Sequence, residues 1–160
     1  MKKIFAESPD KNDLILIVED SEEDYFTILR AFKKAGLRNS FVRCKDGDEA
    51  LDYLFCRREF IDPGKAPRPS IVLLDLNMPG TDGREVLKEI KNTPRLRKIP
   101  VVVMTTSSCP DDINRSYDQG ANSYISKPIG FEAYIKAVEK IADYWFDIVS
   151  LPQCRTARTK

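Results

Sequence analysis

A chain of 160 residues is long enough to bury one hydrophobic core and too short for two ordinary domains. Its 26 basic residues face 25 acidic ones, a net charge of +1, and the last ten residues, with Arg155, Arg158 and Lys160, lean basic; nothing in that balance calls for nucleic acid as a partner. Histidine is absent and the four cysteines, Cys44, Cys56, Cys109 and Cys154, lie far apart, which excludes imidazole catalysis and zinc sites and leaves carboxylates, hydroxyls and lysine to carry any chemistry.

Residues 1–12 form an N-terminal extension without the uninterrupted apolar run of a signal core, and no later stretch approaches a transmembrane length, so a cytoplasmic protein with no membrane contact and reduced, unreactive thiols is expected. Leu14 to Val18 is wholly apolar and ends in Glu19 and Asp20, the pattern of a parallel strand buried on both faces. Tyr25, Ile28, Leu29 and Phe32 share one helical stripe that stops near Gly36. Phe41 to Cys44 reads as a second strand, and Asp46 with Glu49 as a capping box opening a helix. The segment from Asp62 to Pro69, with three prolines and a glycine, can only be a loop.

Ile71 to Leu74 is a third strand ending at Asp75, followed by a helix from Gly83 to about Asn92. Pro100 to Met104 is a fourth strand ending at Thr105, and Asp111 to Gln119 a weakly apolar helix. Asn122 to Ser126 is a short fifth strand, and Phe131 to about Ile148 a long last helix. Five strands each followed by a helix predict one doubly wound parallel α/β domain over 13–149, with a tail at 150–160.

In open α/β sheets ligands collect at the carboxyl ends of the strands, beside the point where strand order reverses. Those ends carry Glu19 and Asp20, Asp75, Thr105, and Lys127 just beyond the fifth strand. Each residue alone has a plain structural reading, as a helix cap, a strand end or a solvated lysine. Together they describe a chemistry. Three adjacent carboxylates repel one another unless a hard cation such as Mg²⁺ is bound. Asp75 can then act as nucleophile toward a phosphoryl group, with Lys127 and the Thr105 hydroxyl meeting its oxygens. The run Asp75-Leu-Asn77-Met-Pro-Gly80 imitates the start of a calcium loop, but its twelfth position is Val86, which cannot supply a carboxylate.

These segments, Ile-Val-Glu19-Asp20, Leu-Leu-Asp75-Leu-Asn-Met-Pro-Gly-Thr-Asp-Gly83, Val-Val-Met-Thr105-Thr106, Gly120-Ala121 and Tyr124-Ile-Ser-Lys127-Pro128, resemble the receiver domain of two-component response regulators over about Leu14 to Ala142. The resemblance implies a flavodoxin-like five-stranded sheet in the order 2-1-3-4-5 with five helices, the last one extended. It implies a phosphorylated signalling switch rather than an enzyme, at most a weak autophosphatase, taking its phosphoryl group from a sensor histidine kinase and acting on a downstream protein. By position, Asp75 would be the phosphoacceptor. Asp20, Asp75 and the main-chain carbonyl of Asn77 would ligate Mg²⁺ directly, and Glu19 through water. Thr105 and Tyr124 would form a hydroxyl and aromatic switch pair, Lys127 would bind a phosphoryl oxygen, and the Lys127–Pro128 bond is a candidate cis peptide. Thr106 stands where the family often has a small residue, which bears on access to Asp75.

The long loop before the third strand, the stretch Asp82 to Ile90, the segment from Ile99 to Ser107 and the ending Tyr144 to Pro152 look like the small stand-alone regulators of bacterial phytochromes, several of which form homodimers. The tail carries Tyr144, Trp145, Phe146, Ile148, Val149 and Leu151. Such a cluster fits a second subunit or the domain's own core, and the sequence leaves both open. A Mg²⁺ phosphohydrolase is the main rival, but it generally needs an acid two residues beyond the nucleophile, where this chain has Asn77. The second rival is a module that keeps the fold without the phosphorylation, against which the acidic pair and the lysine argue.

Overall fold

The computed structural model describes residues 13–153; the predicted N-terminal extension, Cys154 and the basic end of the tail lie outside them. Five strands, β1 (Ile15–Val18), β2 (Phe41–Cys44), β3 (Ile71–Leu74), β4 (Val101–Thr105) and β5 (Ser123–Ser126), alternate with helices α1 (Glu22–Lys34), α2 (Gly47–Leu54), α3 (Gly83–Asn92), α4 (Pro110–Asp118) and α5 (Phe131–Ala142). All neighbouring strands run parallel, in the order β2-β1-β3-β4-β5. The chain therefore winds outward in both directions from β1 and β3, the flavodoxin-like arrangement that the sequence predicts.

Alternation along the strands explains why their sequences are apolar throughout. Leu16, Val18, Val72, Leu74, Val101 and Val103 point to one face, where Tyr53, Leu54, Val86, Leu87 and Ile90 of α2 and α3 cover them. Ile15, Ile17, Ile71, Leu73, Val102 and Met104 point to the other, under Ile28 and Phe32 of α1 and Ile135 and Val138 of α5. Each of these side chains contributes about 1.5–3 kcal/mol by leaving water. Helix α4 buries only Ser116 of its own residues, which accounts for its weak apolar pattern.

The helix starts are fixed by short polar side chains. Ser21 accepts from the Asp24 amide at 3.2 Å, Asp46 from the Glu49 amide at 2.8 Å, and Asp82 from the Arg84 amide at 2.8 Å. At α2 the return arm of the capping box reaches one residue further back than expected, Glu49 accepting from the Lys45 amide at 2.6 Å. Helix α1 ends through Gly36, whose φ of +72° suits glycine. The proline-rich loop is tied down from below, because the buried Tyr53 hydroxyl donates to the Pro67 carbonyl at 2.8 Å.

The long last helix reaches Ile148 as the sequence predicts, with α geometry to Ala142 and a π-helical turn over Asp143–Ile148. Trp145 and Phe146 both bury, with Leu151, in the core under α1 and α5, while Tyr144 and Ile148 stay exposed. The cluster thus folds back on its own domain in part and leaves two large apolar groups in solvent. The Lys127–Pro128 bond is trans, as are all described peptide bonds; a proline only narrows the preference for trans and does not reverse it.

Cys44 is buried, Cys56 half-buried and Cys109 exposed, all as free thiols, and burial pushes the Cys44 thiol well above its usual range. Among the described residues no helix is long and apolar enough to cross a membrane.

Candidate functional site

The carboxyl ends of β1, β3 and β4 open onto one rim, and the chain beyond β5 returns to it because the Lys127 amide donates to the Thr105 carbonyl at 2.7 Å. Glu19 and Asp75 are buried there, at 2 % and 6 % exposure, and Thr105 is fully buried. The Lys127 ammonium donates to Glu19 Oε2 at 2.7 Å and to Asp75 Oδ2 at 3.0 Å. Oxygens of Glu19, Asp20 and Asp75 all lie within 4.8 Å of one another. The fold thus brings together the five rim residues that the strand ends pick out.

The remaining bonds set the orientation of each group. Glu19 Oε1 accepts from the Ser21 amide at 3.0 Å, and Asp75 Oδ1 from the Asn77 amide at 3.1 Å. The Asn77 side-chain amide donates to the Thr105 hydroxyl at 3.1 Å and to that of Thr106 at 3.4 Å, so the hydroxyl predicted to meet a phosphoryl oxygen is held by a neutral donor. Tyr124 packs against the core and its hydroxyl donates to the Ser107 carbonyl at 3.0 Å. Ser107 in turn donates to Asp112 at 2.7 Å, and Arg84 pairs with Asp112 at 2.9 Å. Hydrogen bonds from Ser107 and Arg84 hold the Asp112 carboxyl below its usual range.

One ammonium serves several buried carboxylates, and the consequences differ by group. Burial works against the charge on Lys127, but bonds to Asp24 and Glu19 and the charges of Glu19 and Asp75 outweigh it and raise its pKa. Glu19 is raised as well: burial dominates, and its share of Lys127 only partly offsets that cost. There is no conflict between the two directions, since the cation is fully held by a set of acids none of which holds it alone. Such a cluster, all oxygen and short of positive charge, has the donor chemistry that suits a hard divalent cation.

Two contributors escaped the sequence reading. Asp24, on the first turn of α1, accepts from Lys127 at 2.7 Å; its only sequence signal is its place just after the Ser21 cap and the Glu19–Asp20 pair. Arg43 on β2 is 90 % buried, donates to the Glu19 carbonyl at 3.0 Å and the Asp20 carbonyl at 3.2 Å, pairs with Glu22 at 2.7 Å, and stacks 4.5 Å from the Tyr25 ring centroid. It therefore pins the loop that presents the acidic pair. An arginine inside a four-residue strand of otherwise uncharged residues was the available hint.

A doubly wound sheet whose rim gathers an acidic trio, a buried threonine and a lysine defines the receiver class of signalling domain. The chain belongs to that family: the profile described as response regulator receiver domain matches residues 15–139. It is 45 % identical over 132 residues to the probable methanogenesis regulatory protein FilR2 of Methanothrix harundinacea, covering 82 % of this chain and 83 % of that protein. It is 40 % identical over 139 residues to the response regulator Rcp1 of Synechocystis sp., covering 87 % and 92 %. The Mn²⁺-bound structure of Rcp1 superposes with a TM-score of 0.83 at 39 % identity over 88 % of this chain and 99 % of that one. The phosphorylated cyanobacterial phytochrome response regulator RcpA gives a TM-score of 0.83 at 40 % identity over 89 % and 99 %. The protein is thus a receiver-domain response regulator of two-component systems, with phytochrome response regulators among its relatives.

Proposed function

We propose that Asp75 accepts a phosphoryl group from the phosphohistidine of a sensor histidine kinase. The observation that carries this reading is the convergence of the Asp75 carboxylate, the Lys127 ammonium and the Glu19–Asp20 pair at one strand-end rim. In the step itself an Asp75 oxygen forms a bond to phosphorus while the N–P bond of the phosphohistidine breaks, and the released imidazole takes up a proton from water. Lys127 meets the negative charge of the transferred group, and the Thr105 hydroxyl turns from the Asn77 amide toward a phosphoryl oxygen. Asp20, Asp75 and the Asn77 main-chain carbonyl would hold Mg²⁺, with Glu19 reaching it through water; the ion supplies neutralisation of the phosphoryl oxygens. The same site would lose the phosphoryl group slowly to water, with Thr106 tuning access.

Phosphorylation replaces the single charge of the Asp75 carboxylate with a phosphoryl group of about −1.5 to −2 charges beside Lys127. That charge favours the conformer in which Lys127 and Thr105 both engage it, and the Ser107–Asp112–Arg84 network gives the change a route to Tyr124 and α4. The receiver unit is 13–149, flanked by an extension at 1–12 and a tail at 150–160, and it works in the cytoplasm. The kinase is of bacterial phytochrome type, a reading supported by likeness to Rcp1 and RcpA. FilR2 carries a methanogenesis role in its name, so phosphotransfer profiling must span photoreceptor and other histidine kinases; preferential transfer from the latter overturns the phytochrome assignment.

Asp75→Asn tests the central claim. With acetyl phosphate and Mg²⁺ the wild type is expected to be labelled at one site and the variant to fall to background. Label persisting at another residue refutes the assignment.

The exposed Tyr144 and Ile148, four positions apart on the terminal turn, are the proposed contact with a second copy. Ile148→Glu is expected to shift the protein toward monomer in sedimentation, and its melting temperature should fall only by the stabilisation that association supplies to the wild type, since the side chain is exposed within one copy. A wild type that is monomeric at high concentration removes this part of the reading.

A further inference from the structure

The Lys127 ammonium has three N–H bonds, and all three are engaged: Glu19 Oε2 at 2.7 Å, Asp24 Oδ2 at 2.7 Å and Asp75 Oδ2 at 3.0 Å. A phosphoryl oxygen can be bonded only if one acceptor gives way. Glu19 and Asp75 both belong to the trio whose oxygens lie within 4.8 Å of one another and suit a divalent cation, whereas Asp24 does not. A bound cation therefore draws on two of the three acceptors and leaves the third. Asp24 sits in the first turn of a helix packed on α5, and its main-chain amide donates to the Ser21 hydroxyl at 3.2 Å, which fixes the point from which its carboxylate reaches the rim.

On the reading of Asp75 as phosphoacceptor, we propose that Asp24 is a positioning residue for phosphoryl transfer: its carboxylate keeps the Lys127 ammonium at the phosphoryl pocket when Glu19 and Asp75 turn toward the cation. A lysine lacking that anchor would follow the two remaining carboxylates and compete with the cation, or leave the rim. The proposal predicts a sign opposite to that of simple electrostatics. Deleting a negative charge a few ångströms from an incoming phosphoryl group should, by charge alone, favour that group; deleting an anchor should disfavour it.

Asp24→Asn preserves size and removes the charge. Alanine would be a poorer probe, because Asp24 also lines a cleft of about 230 Å³ between α1 and the start of α5, beside the buried and unpartnered Tyr134 hydroxyl, and truncation would open the rim to it. The full chain is titrated with Mg²⁺ alone and then, at saturating Mg²⁺, with beryllofluoride as a stand-in for the phosphoryl group; labelling by acetyl phosphate is followed in parallel. Mg²⁺ affinity should stay within about threefold, while beryllofluoride affinity and labelling rate fall about tenfold, the scale of one charge-assisted hydrogen bond. Asp24→Glu, which can still reach the ammonium, should recover most of both, and it serves as the folded comparison if the asparagine variant is unstable. Unchanged or tighter beryllofluoride binding in Asp24→Asn overturns the proposal. A wild type that binds Mg²⁺ but no beryllofluoride instead overturns the phosphoacceptor reading on which it rests.

Discussion

Lys127→Met is expected to cut phosphorylation by acetyl phosphate about 100-fold at saturating Mg²⁺, the usual cost of removing one preorganised group that meets developing negative charge. It should also destabilise the metal-free protein. Lys127 is 6 % exposed and is bonded to Glu19, Asp24 and Asp75, of which only Asp24 reaches solvent appreciably. Taking away the cation leaves two buried carboxylates unpaired, a change that costs about 3–5 kcal/mol where a buried pair is broken from one side; the solvent at Asp24 puts the expected value near the lower end.

The pH dependence of that deficit follows from Glu19. Burial raises its pKa even with Lys127 present, and without the lysine the shift must grow. A carboxyl with a raised folded pKa binds its proton more tightly in the folded state than in the unfolded one. Its contribution therefore favours folding below the raised value and is lost as pH climbs from the ordinary carboxylate range through that value. The variant should lie furthest from wild type at about pH 8 and approach it toward about pH 5. Millimolar Mg²⁺ at the higher pH should restore much of the melting temperature, because a divalent ion can serve the same carboxylates. A variant that melts like wild type at both pH values would mean that Lys127 is not the counter-ion of this cluster.

Much of this site was legible because its residues follow apolar runs. Glu19, Asp20, Asp75 and Thr105 each end or follow a strand that is buried on both faces, so pattern alone puts them at one edge. Lys127 is placed by strand order instead, one residue beyond β5, which is neither uniformly apolar nor buried on both faces. Asp24 and Arg43 were not legible for the complementary reason: their roles depend on how α1 lies over the rim and on the pairing of Ile17 with Arg43 across β1 and β2, which are non-local facts. The tail shows a further limit. Its composition marks an apolar cluster, but which of its members go inward, Trp145 and Phe146, and which outward, Tyr144 and Ile148, is set by packing against α1 and the sheet. The isomer of the Lys127–Pro128 bond likewise depends on surroundings that the dipeptide does not encode.

Gly83→Ala should be the most damaging single-methyl substitution in the domain, although Gly83 touches none of the proposed chemistry. It is the first residue of α3, and its amide donates to the Leu76 carbonyl at 3.1 Å. A Cβ there would stand 2.1 Å from the Asp75 carbonyl oxygen, 2.7 Å from the Leu76 Cα and 3.0 Å from the Asp75 carbonyl carbon. Every obstacle is main chain, so no rotamer relieves it. Either α3 lifts from the sheet, uncovering Val86, Leu87 and Ile90, or the end of the central strand β3 is pushed aside with Asp75 on it. Overpacking of a filled core costs about 1–3 kcal/mol and sometimes more, and a main-chain collision this deep belongs at or above the top of that range. Gly64→Ala is the matching control. Its Cβ would meet only the exposed Asp62 side chain, at 3.2 Å from Oδ1, and a surface change of this kind should stay within about 0.5 kcal/mol. Urea unfolding of the two variants measures the difference directly, and Mg²⁺ titration of folded Gly83→Ala reports whether the surviving molecules have kept the Asp75 carboxylate in place. If Gly83→Ala unfolds with the wild-type midpoint, the close seating of α3 on the Asp75 carbonyl is wrong, and with it the claim that the fold itself positions the acceptor.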